Sequence, residues 1–224
     1  MLENPDMTLE ELKERLEKTL QDHDDGSDGS HDVHHARRVL ENAKQIAARE
    51  SAPVDLRVLT AAAYLHDLVN LPKNSPDRAQ ASQLSAEAAE PILEVLGFST
   101  EEKASAQHAI IAHSFSANVQ PETLEARILQ DADRMEALGA LGIARTFYVA
   151  GKLSSALFDG DDPFAADREL DDARFAVDHF KKKLLGLAAT MQTMAGKEVA
   201  EERTESMRRF LRDLGKEIGS ENSW

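Results

Sequence analysis

The chain has 224 residues and no cysteine, and its 41 acidic against 26 basic residues give a formal net charge of -15. Without cysteine, disulfides and thiolate metal sites are excluded, so a metal ion would have to be bound by histidine and carboxylate side chains. The negative charge argues against nucleic acid as a partner, because duplex binding needs a basic surface. Few aromatic residues and much Ala, Leu, Glu and Arg favour an all-α protein.

The length suits one domain, and we expect residues 1–224 to form a single helical domain with a core over about 25–150 and a C-terminal helical extension over about 151–218. We recognise no signal peptide and no apolar stretch long enough to span a bilayer, so we expect a cytoplasmic protein without a membrane partner.

The first predicted element is an amphipathic helix within residues 1–22, where Leu recurs at helical spacing behind a capping box that begins at Thr8. A polar, Gly-rich loop over 22–30 follows. The next helix begins at His31 and runs to about Arg49. On a helical wheel His35 falls at the edge of the apolar face, whereas His34 points towards solvent.

The central element is the run from Val58 to Val69, which predicts a helix that is apolar on nearly every face and therefore buried. It carries His66 and Asp67 side by side. Burying both is unfavourable unless something pairs them. A metal ion would do so, and so would a backbone carbonyl for the histidine and an arginine for the aspartate.

Two prolines make residues 70–78 an irregular loop that leaves directly from this pair. Its Lys73 and Arg78 are candidates to hold an anionic substrate group, with solvated surface charges as the alternative. Beyond the loop we predict a helix over 79–97, interrupted at Pro91.

A helix with a capping box follows from Ser99 to near Ser114. Its His108 and His113 are five residues apart, which is poor spacing for two ligands on one helical face. We interpret this pair as partly buried structural histidines, although one of them could reach a metal site.

A long helix then leads from Pro121 through Gly139. Asp131 and Asp133 flank its apolar face on opposite sides, and the wheel does not say which one turns inwards. Glu136 falls inside the apolar face, so we expect it to pair with an arginine or to line a pocket. Residues 151–170 form an irregular excursion, typical of a lid or a dimer contact, so a homodimer stays open. Helices return over 171–218.

His35, the pair His66-Asp67 and one of the two later aspartates lie on different predicted helices, whose ends can converge on one ion. At this point the chain resembles the HD-domain superfamily of metal-dependent phosphohydrolases, whose ligand order is H…HD…D, and in particular its YedJ/YpgQ-like branch. The stretches that carry the resemblance are HDVHHARRV (31–39), LHDLVNLPK (65–73), HAIIAHS (108–114), QDADRMEALGA (130–140), LFDGDDPF (157–164) and DHF (178–180).

The resemblance implies an HD-type helical bundle with additional C-terminal helices, and metal ligation by His35, His66, Asp67 and a later aspartate. Superfamily members commonly place that last ligand in an Ala-Asp pair, which favours Asp133 and leaves Asp131 as the alternative. Such ligands suit a divalent ion, with Mn, Mg, Fe, Ni and Zn all open.

The implied activity is metal-dependent phosphohydrolysis of nucleotides or related small phosphate esters and anhydrides. Asp67 would bind the metal and orient the attacking water, while Lys73, Arg78 and Arg145 are candidates to neutralise phosphate charge. Asn70 and Leu71 stand where guanosine-tetraphosphate hydrolases carry an acidic pair, which disfavours that substrate. Two alternatives stay open: a non-catalytic sensor that binds metal and nucleotide, and a two-iron oxygenase using His108 and His113.

Overall fold

The fold is all-α, as predicted. The structure is a computed structural model that describes residues 7–23, 33–69, 71, 77–114, 116–220 and 224. Within these ranges it has nine α-helices and no strand. The helices are α1 (Leu9–His23), α2 (Val33–Ala47), α3 (Leu56–Leu65), α4 (Ala81–Val95), α5 (Thr100–His113), α6 (Leu124–Arg134), α7 (Gly139–Lys152), α8 (Ala176–Lys182) and α9 (Met194–Ile218).

The chain divides into two compact units, Met1–Asp133 and Arg134–Trp224. The first holds α1 to α5 and α6 as far as Asp133, and the second holds α7 to α9. The single domain and its boundary near residue 150 stay predictions. Among the helices of the described ranges, none is both long enough and apolar enough to cross a membrane.

Helix α3 is the buried centre of the first unit, which confirms the prediction for this segment. It contacts α1, α2, α4 and α5, and every residue from Val58 to Leu65 is buried. Its first turn is capped by Asp55, whose carboxylate accepts hydrogen bonds from the backbone N–H groups of Arg57 and Val58. The α-helix ends at Leu65, earlier than predicted, so His66 and Asp67 occupy a turn at its C-terminal end.

Helix α1 is attached to α2 and α3 through the carboxylate of Glu17. Arg37 donates to it from Nε (2.8 Å) and Nη2 (2.6 Å), and the Tyr64 hydroxyl donates at 2.6 Å. The Arg37 bonds hold the pKa of Glu17 down at about 2, against the opposing effect of burial. Burial, with the charge of Glu17, raises the pKa of Tyr64. One carboxylate thus joins three helices.

Local signals set most helix starts correctly. Both predicted capping boxes are present, one between Thr8 and Glu11 and the other between Ser99 and Glu102. The interruption predicted at Pro91 is wrong, because α4 continues through it. Pro91 and Glu87, the residue one turn earlier, are both exposed, so water can solvate the carbonyl that the missing N–H leaves unbonded.

The long helix predicted through Gly139 is divided in the structure. After α6 comes a 3-10 turn over Met135–Ala137, and Gly139 then takes a left-handed backbone with φ of 68°. Gly142 packs directly on this turn, since a Cβ there would lie 2.2 Å from the Ala137 carbonyl oxygen. The α-helix is therefore interrupted where the periodicity suggested continuity.

The second unit has its own core, in which three rings pack together. Phe180 lies 6.0 Å from Phe147 and 6.1 Å from Phe210, measured between ring centroids. The irregular segment before α8 is held by the buried carboxylate of Asp178, which accepts two hydrogen bonds from Arg168 at 2.6 and 2.8 Å. The predicted excursion is thus an ordered loop.

The low pKa of Glu17 predicts an acid-sensitive contribution to stability. Because its folded-state pKa of about 2 lies below the ordinary value of 4.5, the stabilisation is complete above pH 4.5 and is lost as pH falls towards 2. We expect Glu17→Gln to lower the free energy of unfolding at pH 7 by about 1–2 kcal/mol, a value reduced because solvent screens the half-exposed Arg37. Denaturant unfolding across this pH range measures it.

The matched control is Glu41→Gln, which removes an exposed i,i+3 ion pair with Lys44 on α2 and should change the free energy of unfolding little at any pH. A difference between the Glu17 variant and the parent that stays constant down to pH 2 would contradict the assignment.

Candidate metal centre

Two imidazole rings from separate parts of the chain meet at the end of α3. His35 projects from the first turn of α2 and His66 from the turn after α3, and their Nε2 atoms lie 3.2 Å apart. His35 and His66 are 2% and 1% exposed, whereas His34 is exposed. The wheel's prediction for His34 and His35 is therefore confirmed.

His66 is fixed as a neutral imidazole whose Nε2 lone pair is directed at His35. Its Nδ1–H donates to the Ala63 carbonyl at 2.9 Å, which leaves the proton off Nε2. Burial lowers the pKa of His66 to about 4, outweighing the nearby carboxylates, so the ring is uncharged at neutral pH. A neutral imidazole held by a backbone carbonyl is the usual form of a metal-binding histidine.

Two carboxylates complete the group. Asp67 Oδ2 lies 3.4 Å from His66 Nε2 and 3.8 Å from His35 Nε2. Asp133 Oδ1 lies 3.5 Å from His35 Nε2 and 3.9 Å from His66 Nε2. Their side chains are 26% and 29% exposed, so the carboxylates are the part of the group that solvent reaches.

These separations fit ligands around one ion. Ligand atoms about 2.0–2.2 Å from a common metal, at angles near 90–120°, are about 2.8–3.8 Å from one another. The atoms offered by His35, His66 and Asp67 all lie within 4.8 Å of one another, so this group could hold a metal ion. The donor set of nitrogen and carboxylate oxygen suits a divalent ion of intermediate hardness.

Asp131 and Asp133 differ in their surroundings. Asp131 is fully buried in the first unit, whereas Asp133, at the end of α6, brings Oδ1 to the two imidazoles. This arrangement supports Asp133 over Asp131 as the later ligand, and the choice remains a proposal.

His113 also lies beside this group, although its spacing from His108 argued for a structural role. Its Nδ1–H donates to the Ile110 carbonyl at 2.5 Å, and its Nε2 lies 3.5 Å from Asp67 Oδ1. Burial alone would lower the pKa of His113, but the hydrogen bond and charge of Asp67 outweigh it and raise that pKa. Asp67 thus turns one oxygen to the imidazole pair and the other to His113.

His108 has the structural role that its spacing suggested for both histidines. Its Nε2 accepts a hydrogen bond from the backbone N–H of Glu122 at 2.9 Å, where the chain approaches α6. The sequence holds no local pattern that shows which of His108 and His113 lies beside Asp67.

Buried amides anchor α6 beside the site residues. Asn42 on α2 donates to the carbonyl of Ala132, next to Asp133, at 3.2 Å. Gln130 donates to the carbonyl of Ala112, next to His113, at 2.6 Å. A buried carbonyl needs a hydrogen-bond partner. The two amides therefore fix the backbone at Ala132 and at Ala112, and each also joins two helices. No sequence motif marks Asn42 or Gln130 itself as a site residue.

The three predicted phosphate-binding cations are not placed at this group by the structure. Lys73 and the side chain of Arg78 lie outside the described residues, as does His31. Arg145 lies on α7, in the second unit, and is partly buried. Their proposed roles therefore rest on chemistry alone.

The family is shown by comparison with known proteins. The sequence model of the HD domain matches residues 32–138, a stretch that includes His35, His66, Asp67 and Asp133. The chain therefore belongs to the HD-domain superfamily, in its YpgQ-like branch, and has the fold of HD-superfamily hydrolases.

The particular relatives cover nearly the whole chain. YpgQ of Bacillus subtilis is 33% identical over 213 residues, which are 93% of each chain. A crystal structure of B. subtilis YpgQ in complex with ADP is 32% identical, with a TM-score of 0.72, and covers 94% of this chain and 97% of that one. A crystal structure of an HD-superfamily hydrolase from Bacillus thuringiensis is 28% identical, with a TM-score of 0.74, and the match covers 96% of this chain and 100% of that one.

The contact with Asp67 predicts that His113 supports metal binding. We expect His113→Gln to raise the dissociation constant for Mn²⁺ by about 10- to 100-fold, because partners that orient a ligand commonly contribute this much. Titration calorimetry measures it. His108→Gln is the control, since His108 bonds to the backbone near α6, and its Mn²⁺ affinity should equal that of the parent. Equal affinities in all three proteins would contradict the role of His113.

Proposed function

We propose that this protein is a metal-dependent phosphohydrolase that acts on nucleotides or related small phosphate esters and anhydrides. The observation that carries the proposal is the convergence of two buried imidazoles, His35 and His66, and the carboxylate of Asp67 within the spacing of ligands around one ion, with the carboxylate of Asp133 3.5 Å from His35 Nε2. Buried polar groups in such an arrangement are unfavourable without a cation. The two carboxylates form the solvent-facing side of the group.

We assign the metal ligands as His35, His66, Asp67 and Asp133, with Asp131 as the alternative to Asp133. Two carboxylates and two neutral imidazoles would carry a charge of about -2, which a divalent cation compensates. When bound, such an ion lowers the pKa of a coordinated water and polarises a phosphoryl oxygen.

The protein's own groups would orient the reactants. Asp67 has one oxygen towards the imidazoles and one towards His113, which fixes the orientation of its carboxylate. In this orientation the carboxylate would accept a hydrogen bond from the attacking water. His113 keeps that orientation. The partial exposure of Asp67 and Asp133 allows a phosphate group to approach from solvent.

Nucleotides are the first substrate class to test, because the related YpgQ has been crystallised with ADP. Phosphates are anions, and the whole chain carries a charge of -15, so local cations are needed to bind them. Lys73, Arg78 and Arg145 are our candidates for neutralising phosphate charge.

The test is hydrolysis of a panel of ribo- and deoxyribonucleotides with added Mn²⁺, with phosphate and pyrophosphate release measured separately. We expect turnover of at least one nucleotide, and a loss of at least about 1000-fold in Asp67→Ala. Asp161→Ala, which changes an exposed aspartate in the loop before α8, should retain parental activity.

Mn²⁺ and ADP binding without turnover of any panel member would instead favour a sensor that binds metal and nucleotide. Parental activity in Asp67→Ala would show that the proposed centre is wrong.

The choice between the two aspartates has its own test. We expect Asp133→Asn to abolish stoichiometric Mn²⁺ binding while circular dichroism shows an unchanged helical content, because an amide is a poor replacement for a carboxylate ligand. Asp131→Asn, at a fully buried position, should still bind one equivalent. The reverse result would make Asp131 the ligand.

A further inference from the structure

A buried serine on α4 holds the segment that follows Asp67. The backbone N–H of Val69 donates to Ser85 Oγ at 3.0 Å, and the Ser85 hydroxyl donates to the Val69 carbonyl at 3.3 Å. Ser85 is fully buried. One side chain therefore satisfies both polar groups of a single residue's backbone, on an element separate from α4.

This contact lies where the backbone needs support. The α-helical bonding of α3 ends at Leu65, and the next turn is held by a longer bond from Leu68 N–H to the Leu65 carbonyl, at 3.3 Å. Asp67 lies between that helix end and Val69, two residues from each. Fixing Val69 thus limits the positions that the Asp67 backbone can take, because only two peptide units separate them.

The choice of serine is informative about its role. Helix α4 is rich in alanine, and alanine is a better helix former than serine by about 0.5 kcal/mol. A serine inside a helix commonly bonds to the carbonyl one turn earlier, but here the hydroxyl bonds to Val69 instead. A fully buried hydroxyl in this position is consistent with a tertiary function rather than with helix formation.

We propose that Ser85 is a positioning residue for the metal centre, which holds Val69 so that the Asp67 carboxylate meets the two imidazoles. The inference rests on the proposed metal site and deepens it. Ser85 touches no ligand atom and acts only through the backbone of the segment after α3.

The same helix offers a matched control. Ser82 lies three residues earlier on the buried face of α4 and is 3% exposed. Within the part of the chain that the structure describes, its Oγ has no hydrogen-bond partner. Ser82→Ala and Ser85→Ala therefore each remove one buried hydroxyl from the same helix face, but only the second removes bonds to Val69.

The experiment compares Mn²⁺ binding by calorimetry and amide hydrogen exchange in both variants of the full chain. We expect Ser85→Ala to raise the Mn²⁺ dissociation constant about tenfold, the lower end for residues that support a ligand, and to speed exchange of the Val69 amide. Ser82→Ala should leave both unchanged. Ser85→Thr, which keeps the hydroxyl, should restore protection of Val69 and most of the Mn²⁺ affinity.

Parental Mn²⁺ affinity in Ser85→Ala would overturn the role of Ser85. If the parent binds Mn²⁺ and Asp67→Ala does not, the proposed metal centre stays intact. Equal weakening in both alanine variants would also overturn the role of Ser85, because a general loss of packing would then explain the effect. No Mn²⁺ binding by the parent would overturn the metal centre, and the inference with it.

Discussion

The facing imidazole nitrogens of His35 and His66, 3.2 Å apart, are the constraint on which the first unit depends. A hydrogen-bonded Nδ1 leaves the lone pair of His66 directed at His35, and two carboxylates approach the same point. Such a group is unfavourable in an apolar interior unless a cation or a dense hydrogen-bond network compensates it. The helices around it must therefore be held firmly, because small shifts in any of them would separate the ligand atoms.

The structure meets this requirement with polar side chains that bond across helices. Asn42, Gln130 and Ser85 each reach a backbone group one or two residues from a site residue. Glu17 joins α1 to α2 and α3 at Arg37 and Tyr64, each two residues from a site histidine. Helix α1 lies outside the stretch matched by the HD domain, and through Glu17 it contacts α2, which carries His35, and α3, which precedes His66.

The net negative charge of the chain bears on the proposed binding of phosphate substrates. The chain as a whole is strongly acidic, and its field would repel phosphate substrates. A divalent ion held by His35, His66 and Asp67 would reverse the local sign at this group. Family membership does not define the substrate. Substrate choice depends on the groups that contact the phosphate and the nucleoside. The proposed function is therefore tested with a panel rather than with one nucleotide.

The sequence by itself determined the all-α class, the burial of the segment that carries His66, the inward orientation of His35 rather than His34, and the capping boxes at Thr8 and Ser99. All of these depend on local periodicity or on bonds within one helical turn. The tertiary structure alone decided that α3 ends at Leu65, that α4 continues through Pro91, and that His113 rather than His108 lies beside Asp67. Periodicity shows which face of a helix is apolar, but the residue that meets another helix's end depends on how the helices pack, and that depends on contacts between residues far apart in the chain.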